Sequence, residues 1–362
     1  MEEIRYGVIG TGMMGIEHID NIAAVEGAVV TAISDPDAGS RATGAAAVGN
    51  GVGVFEDHRD LINADVCDAV VLVSPNYSHH GVLADVLASD LHVLTEKPMC
   101  ITTDECVDVV HAAQARDAIT WVGLEYRYMP PVSRLVQEVQ SGTVGDVHMV
   151  GIREHRFPFL AKVGDWNRFS RNTGGTLVEK CCHYFDLMNL IIGQRPDSVM
   201  ASGGQNVNHL DEFYDGERSD ILDNAYVIVE YPNQVRAMLD LCMFAGATHN
   251  QEELSVVGNL GKVEALIPEH VLRIGRRGEH GIGNVIEESI VDDSIKVAGF
   301  HHGSSYLEHV DFADAIRNST APKVDVFDGL WSVAIGEAAH RSIEERRPVD
   351  LTEIVPTEFL TT

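Results

Sequence analysis

Between the apolar pair Val8-Ile9 and a segment able to open a helix lie six residues, Gly10-Thr11-Gly12-Met13-Met14-Gly15, and their glycine spacing suits few folds. It fits a strand-to-helix turn that cradles a dinucleotide. The first glycine permits the tight turn, the second lets backbone N–H groups approach a pyrophosphate, and the third lets helix and strand pack closely. Ile4 to Ile9 reads as a buried strand, and a second apolar run, Val29 to Ile33, leads to Asp35, twenty positions after Gly15. That is the place of a carboxylate that accepts hydrogen bonds from an adenosine ribose and repels a 2′-phosphate. The expected cofactor is NAD, held by Gly10, Gly12, Met13, Met14, Gly15 and Asp35. Arg41 lies near enough in sequence to leave NADP open. The plainer role for Asp35 is to cap a turn before Pro36.

With 362 residues the chain is long for one core, so two domains are the natural expectation. No apolar run reaches the roughly 20 residues that span a bilayer, and the amino terminus lacks a signal-peptide pattern, so a soluble, cytoplasmic protein is expected. The six cysteines, at 67, 100, 106, 181, 182 and 242, are scattered like the reduced thiols of an intracellular enzyme. Acidic residues number 55 against 26 basic ones, a formal charge of −29. That balance disfavours nucleic acid, and with no membrane element it leaves a small molecule as the expected partner. Self-repulsion of this size is screened at high salt, which points to a salt-adapted, halophilic source. An acidic enzyme of a GC-rich genome, with Arg replacing Lys, is the other reading.

Apolar runs alternate with helical patterns up to residue 124, at Asp68 to Val73, His92 to Thr95 and Ile119 to Gly123. The alternation predicts a doubly wound parallel sheet of Rossmann type over residues 1–124. Pro130-Pro131 opens a helix to about Gln140. Strand patterns then dominate, at Val147 to Ile152, Ala225 to Tyr231, Val235 to Met243, Glu252 to Val257 and Lys262 to Leu266. Helices return at Ser305 to Arg317 and Gly329 to Arg341. Residues 125–362 are therefore expected to form an α+β domain with a large, open, mainly antiparallel sheet. Gly281 to Asp293 has no firm period and reads as variable strand and loop.

In open α/β sheets the ligand lies beyond the carboxyl ends of the strands. Three segments follow such ends: Ser74-Pro75-Asn76-Tyr77-Ser78-His79, Glu96-Lys97-Pro98 and Glu125-Tyr126-Arg127-Tyr128. Lys97 stands out because a partly desolvated cation can polarise a hydroxyl or carbonyl. A surface lysine paired with Glu96 is the bland alternative, less attractive in a chain with only six lysines. Farther on, Gly174-Gly175-Thr176-Leu177-Val178-Glu179-Lys180-Cys181-Cys182-His183-Tyr184-Phe185-Asp186 enters a helix predicted to end at Ile192. At helical spacing Glu179, His183 and Asp186 share a face, and His183 can take a proton from a substrate hydroxyl. A satisfied buried histidine is the competing reading. Adjacent cysteines do not aim both sulfurs at one tetrahedral ion and no CxxC completes a site, so no metal is expected.

These motifs, in this order, resemble the Gfo/Idh/MocA family of glucose-fructose oxidoreductases and inositol dehydrogenases, from about Ile4 to Val349. The match runs through Gly10-x-Gly12-x-x-Gly15, Ser74-Pro75-Asn76-x-x-His79, Glu96-Lys97-Pro98, Tyr126-Arg127-x-x-Pro130 and Gly174-Gly175-x-Leu177 with Glu179, His183 and Asp186. The resemblance implies that Lys97 is the catalytic lysine and His183 the proton acceptor or donor, with Glu179 beside them. Ser74, Asn76, His79, Glu96 and Arg127 join the expected cofactor contacts. Lys97, Arg127, His155, Trp166, Asn167, Glu179 and His183 are the expected substrate contacts. Glu179 stands where many members carry Asp, and Cys181 where they carry Gly; both changes bear on substrate more than on reaction. The implied activity is NAD-dependent oxidation of a secondary hydroxyl of a cyclitol or sugar, by a homodimer or homotetramer. The alternatives are an NADP-linked keto-sugar or dihydrodiol reductase, and a non-catalytic NAD-sensing subunit.

Overall fold

The computed structural model describes residues 3–278 and 282–360. The chain divides into two compact units, Met1–Tyr128 with Asp293–Val333, and Met129–Asp292 with Ala334–Thr362.

In the first unit six short strands, β1 (Ile4–Ile9), β2 (Ala28–Ser34), β3 (Gly53–Phe55), β4 (Ala69–Leu72), β5 (His92–Glu96) and β6 (Thr120–Gly123), form one parallel sheet in the order β3-β2-β1-β4-β5-β6. Helices α1 (Met13–Ala24), α2 (Ala38–Val48), α3 (His58–Ile62), α4 (His79–Leu87) and α5 (Thr103–Gln114) alternate with them. All four residues of β4 are buried, as are all four of β6, which explains their continuous apolar runs: a parallel sheet is covered on both faces. Strand order reverses between β1 and β4, and the Gly10 turn sits at that switch point.

The second unit begins with α6 (Pro130–Gln140), short helices α7 (Ser170–Thr173) and α8 (Thr176–Glu179), and α9 (Cys182–Ile192). Among the described residues its main sheet has nine strands, β7 (Val147–His155), β8 (Ser198–Gly204), β9 (Asn224–Glu230), β10 (Arg236–Cys242), β11 (Glu252–Gly258), β12 (Gly261–Ile267), β13 (Val271–Arg276), β14 (Ile286–Ser289) and β15 (Val349–Asp350), apart from a small hairpin of Phe213–Tyr214 with Glu217–Arg218. They pair in the order β14-β13-β12-β11-β7-β10-β9-β8-β15. Every pair is antiparallel except β7 with β10, so the sheet is mixed. Strands alternate here: Ala225, Val227 and Val229 of β9 are buried while Tyr226 and Ile228 point out. Exposed Met200, Tyr226, Ile228 and Met238 lie on neighbouring strands of the open sheet.

A single cut after residue 124 does not describe this chain, because residues 293–333 belong to the first unit. Helix α10 (Ser304–Asn318) packs on α1, and Phe312 meets the edges of Tyr6 and Trp121 at 6.1 and 5.9 Å. The sequence could not reveal this return, since an amphipathic helix does not state which core it joins. Helix α11 (Val326–Glu345) follows, and the division between the units falls within it. Strand β3 was counted in the pattern without bounds, and β8 and β13 were invisible in it. The first is three residues long, and β8 ends on glycines, of which Gly203 lies so close to the carbonyl of Asn224 that a Cβ would come within 2.7 Å. Gly281 lies outside the described residues, and the rest of its irregular stretch contributes edge strand β14.

Candidate functional site

The glycine turn of the first unit follows from contacts. Gly10 has φ +97°, and a Cβ there would lie 2.7 Å from the carbonyl group of Val73; on Gly15 it would lie 2.2 Å from the Gly10 oxygen. Both positions therefore require glycine for the protein's own packing. Gly12 differs, because a Cβ there meets nothing within 4 Å among the described residues. Gly12 is also the N-cap of α1 and supplies no side-chain acceptor to the first helical N–H groups. Open space before uncapped donors suits the pyrophosphate of a dinucleotide. Met13 is exposed and Met14 half-buried beside it.

Asp35 ends the next strand. Its Oδ2 accepts from the Thr11 backbone N–H at 2.7 Å and from the Thr11 hydroxyl at 3.3 Å, and its Oδ1 accepts from Asp37 N–H at 2.8 Å. The carboxylate is thus locked onto the glycine turn, with lone pairs to spare for ribose hydroxyls. Arg41 donates to the carbonyls of Asp35 and Pro36, at 2.5 and 3.2 Å, and faces Glu56 at 3.6 Å. A 2′-phosphate would meet two carboxylates and a guanidinium already engaged, so the residues fit NAD.

Around β4 and β5 several expected cofactor contacts take other roles. His79 is fully buried, with its ring nitrogens 2.8 Å from the Pro98 carbonyl and 2.9 Å from the Ser74 carbonyl. Burial pushes its pKa down, and it braces the Ser74 turn against the cis Lys97-Pro98 peptide instead of facing a ligand. Ser74 bonds Ser78 at 2.7 Å, while among the described residues the buried Asn76 amide nitrogen has no hydrogen-bond partner and can donate to a ligand. Glu96 turns inward: it accepts from His18 Nε2 at 2.9 Å and from the Lys97 backbone N–H at 3.0 Å. Arg127 is committed too, to the Lys323 carbonyl at 2.9 Å and Asp328 at 3.0 Å, so it is a tie within this unit and not an open substrate hand. Lys97 is half-buried at the carboxyl end of β5, the expected edge for chemistry.

In the second unit Gly174 and Gly175 have φ +76° and +84°, and a Cβ on Gly175 would come within 2.4 Å of the His340 ring. His340 Nε2 in turn accepts from the Leu177 N–H at 3.1 Å, and burial pushes its pKa down to about 4, so the ring is a neutral acceptor. These contacts start α8. It ends at Glu179, a break follows at Lys180-Cys181, and α9 restarts at Cys182. The predicted continuous helix is therefore two pieces, although its end at Ile192 is as expected. Glu179, His183 and Asp186 are all buried.

Beneath the break lies a charge cluster that the sequence did not announce. Lys180 Nζ is 3.1 Å from Oε1 of the fully buried Glu154, and Arg156 donates to the same oxygen at 3.3 Å. Glu252 stands directly opposite Glu154 in the β7–β11 pairing. Burial, then the neighbouring Glu154 charge, push its pKa up to about 7. Of the other expected substrate contacts, His155 bonds Asp240 at 3.1 Å and Trp166 is half-buried in the turn Val163–Arg168. Asn167 is fully buried; it donates to the Leu160 carbonyl at 3.0 Å and accepts from Arg168 at 3.3 Å, so it holds its own loop.

Residues 4–124 match the family model described as oxidoreductase family, NAD-binding Rossmann fold, and residues 136–351 match the corresponding C-terminal alpha/beta domain. The myo-inositol 2-dehydrogenase of Thermotoga maritima is 26% identical over 363 residues, covering 97% of this chain and 100% of its own. Among solved structures, an oxidoreductase domain protein from Kribbella flavida superposes with a TM-score of 0.86 at 20% identity, over 97% of this chain and 100% of that one. A levoglucosan dehydrogenase in complex with NADH gives 0.85 at 18% identity, over 97% and 99%. At such identities the two structures establish the fold alone.

Proposed function

The chain belongs to the Gfo/Idh/MocA oxidoreductase family, and from that premise we propose that it oxidises a secondary hydroxyl of a cyclitol or sugar with NAD. The relatives named for inositol and for an anhydrosugar support this substrate class. Gly10, Gly12, Gly15 and Asp35 would hold the dinucleotide, with Asn76 as a further donor. When bound, NAD supplies the hydride acceptor.

The chain's own residues handle the proton. Lys97, at the carboxyl end of β5 in the sheet that carries the nucleotide turn, supplies positive charge to the hydroxyl oxygen as it loses its proton. His183 accepts that proton, and Glu179 orients the hydroxyl. The observation that carries the reading is the placement of Lys97 at the carboxyl end of β5, in the same sheet whose β1 turn and Asp35 are shaped for a dinucleotide. Arg41, engaged by two carbonyls and facing Glu56, argues against the NADP-linked reductase. The exposed row Met200, Tyr226, Ile228 and Met238 is assigned to contact with a second copy of the chain.

The test is NAD and NADP reduction in concentrated KCl against inositols, aldoses and anhydrosugars. Selective reduction of NAD by one class is the expected result. Tight NAD binding with no turnover across the panel would overturn the dehydrogenase reading and favour a sensing subunit.

A further inference from the structure

Three buried side chains behind Lys97 form a hydrogen-bonded chain that the proposed chemistry does not use. His309, on α10, places Nε2 at 2.8 Å from Nδ1 of His18, on α1, and His18 places Nε2 at 2.9 Å from Glu96 Oε1. The second Glu96 oxygen accepts the Lys97 backbone N–H. His18 is 2% exposed, His309 0% and Glu96 8%. A core histidine filling space would not need this arrangement. Among the described residues His309 Nδ1 has no partner although it is buried, an unsatisfied polar atom that an apolar side chain would avoid.

The proton positions follow from the partners. Burial by itself would raise the Glu96 pKa, but the His18 hydrogen bond and the charges of His18 and Lys97 outweigh it, so Glu96 is a carboxylate and can only accept. His18 must therefore carry a proton on Nε2. Burial, then the neighbouring His18, hold His309 neutral, so one proton lies between the two rings. Whichever ring holds it, Glu96 receives an N–H, and its other oxygen remains turned onto the Lys97 backbone.

We propose that His18, oriented by His309, is a positioning residue for catalysis: it clamps Glu96 and thereby fixes the backbone from which Lys97 reaches the substrate hydroxyl. His18 sits on the helix whose first turn is assigned to the pyrophosphate, one turn past Gly15, so the clamp ties the lysine to the cofactor-bearing helix. The inference rests on the role proposed for Lys97.

The experiment compares wild type, His18→Leu, His18→Gln, His309→Phe and Lys97→Met for kcat, KM of NAD and polyol, NAD affinity by calorimetry, and melting temperature. Misplacing a reacting group by about 1 Å costs about 100-fold in rate, so His18→Leu should lose about that much kcat with NAD affinity within about threefold. His18→Gln, which keeps an N–H donor for Glu96, should recover most of kcat, and His309→Phe should fall between. A kcat unchanged in His18→Leu, or no recovery in a folded His18→Gln, would overturn the clamp while Lys97→Met is inactive. If His18→Leu does not fold, His18→Gln and His309→Phe decide: kcat lost equally in both, or in neither, contradicts it. Full turnover in Lys97→Met would remove the lysine's role, and the clamp with it.

Discussion

The glycine turn of the first unit and the broken helix of the second perform comparable tasks with different materials. The turn is made by the backbone. Gly10 and Gly15 are fixed by contacts with carbonyl groups, and the Asp35 side chain bonds the backbone N–H and hydroxyl of Thr11 only a strand away. The broken helix is held by side chains of other segments: buried Lys180 by buried Glu154, Glu154 also by Arg156, and the Leu177 N–H by His340. A backbone device is local and leaves a spacing in the sequence. A device of buried charges has no such mark, because each partner is ordinary in its own segment.

The contrast can be broken first at Gly10. Alanine there meets the Val73 backbone at a positive φ, so Gly10→Ala should lower stability by about 3 kcal/mol or more and abolish NAD binding. Gly12→Ala meets no atom of the described residues within 4 Å, and should melt like wild type while losing about tenfold or more in NAD affinity. Equal melting losses in the two variants would refute the distinction. In the second unit, Lys180→Met leaves Glu154 with Arg156 alone. Breaking a buried pair costs about 3–5 kcal/mol, and the remaining arginine should reduce this to about 2–3 kcal/mol in urea unfolding. A loss below about 0.5 kcal/mol would mean that the pair does not hold the break.

His340 gives the same region a pH signature. Its folded pKa, about 4, lies below the unfolded value of about 6.5, so between these limits the unfolded chain binds the extra proton. Its contribution is complete above pH 6.5 and falls away as the pH drops to 4, by up to about 3 kcal/mol at 1.36 kcal/mol per pH unit. The stability difference between wild type and His340→Gln should follow that slope, and a pH-independent difference would contradict it. The smallest effect is expected at Asp35. Asp35→Ser removes the charge facing a 2′-phosphate and should shift the ratio of NAD to NADP use by about tenfold toward NADP.

The same contrast explains what could be read in advance. The parallel sheet and the end of α9 at Ile192 were legible because each has a local pattern, and local patterns likewise singled out the glycine turn, Asp35 and the segment Glu96-Lys97-Pro98 as candidates. His79 and Arg127 were expected at ligands on motif grounds and Asn167 as a substrate contact, yet their polar atoms bond carbonyls and side chains of their own unit. Glu96 shows both sides. Its motif drew attention to the end of β5, but its partner His18 lies 78 residues earlier, and only the meeting of β5 with α1 reveals what its carboxylate holds. The return of residues 293–333 to the first unit was hidden for the same reason.

The most direct test of the account measures NAD binding and polyol turnover together in wild type, Lys97→Met and His183→Ala. The account predicts NAD affinity within about threefold of wild type in both variants and turnover lowered about 100-fold or more, the scale of a lost acid–base group. Wild-type turnover in either variant would contradict it.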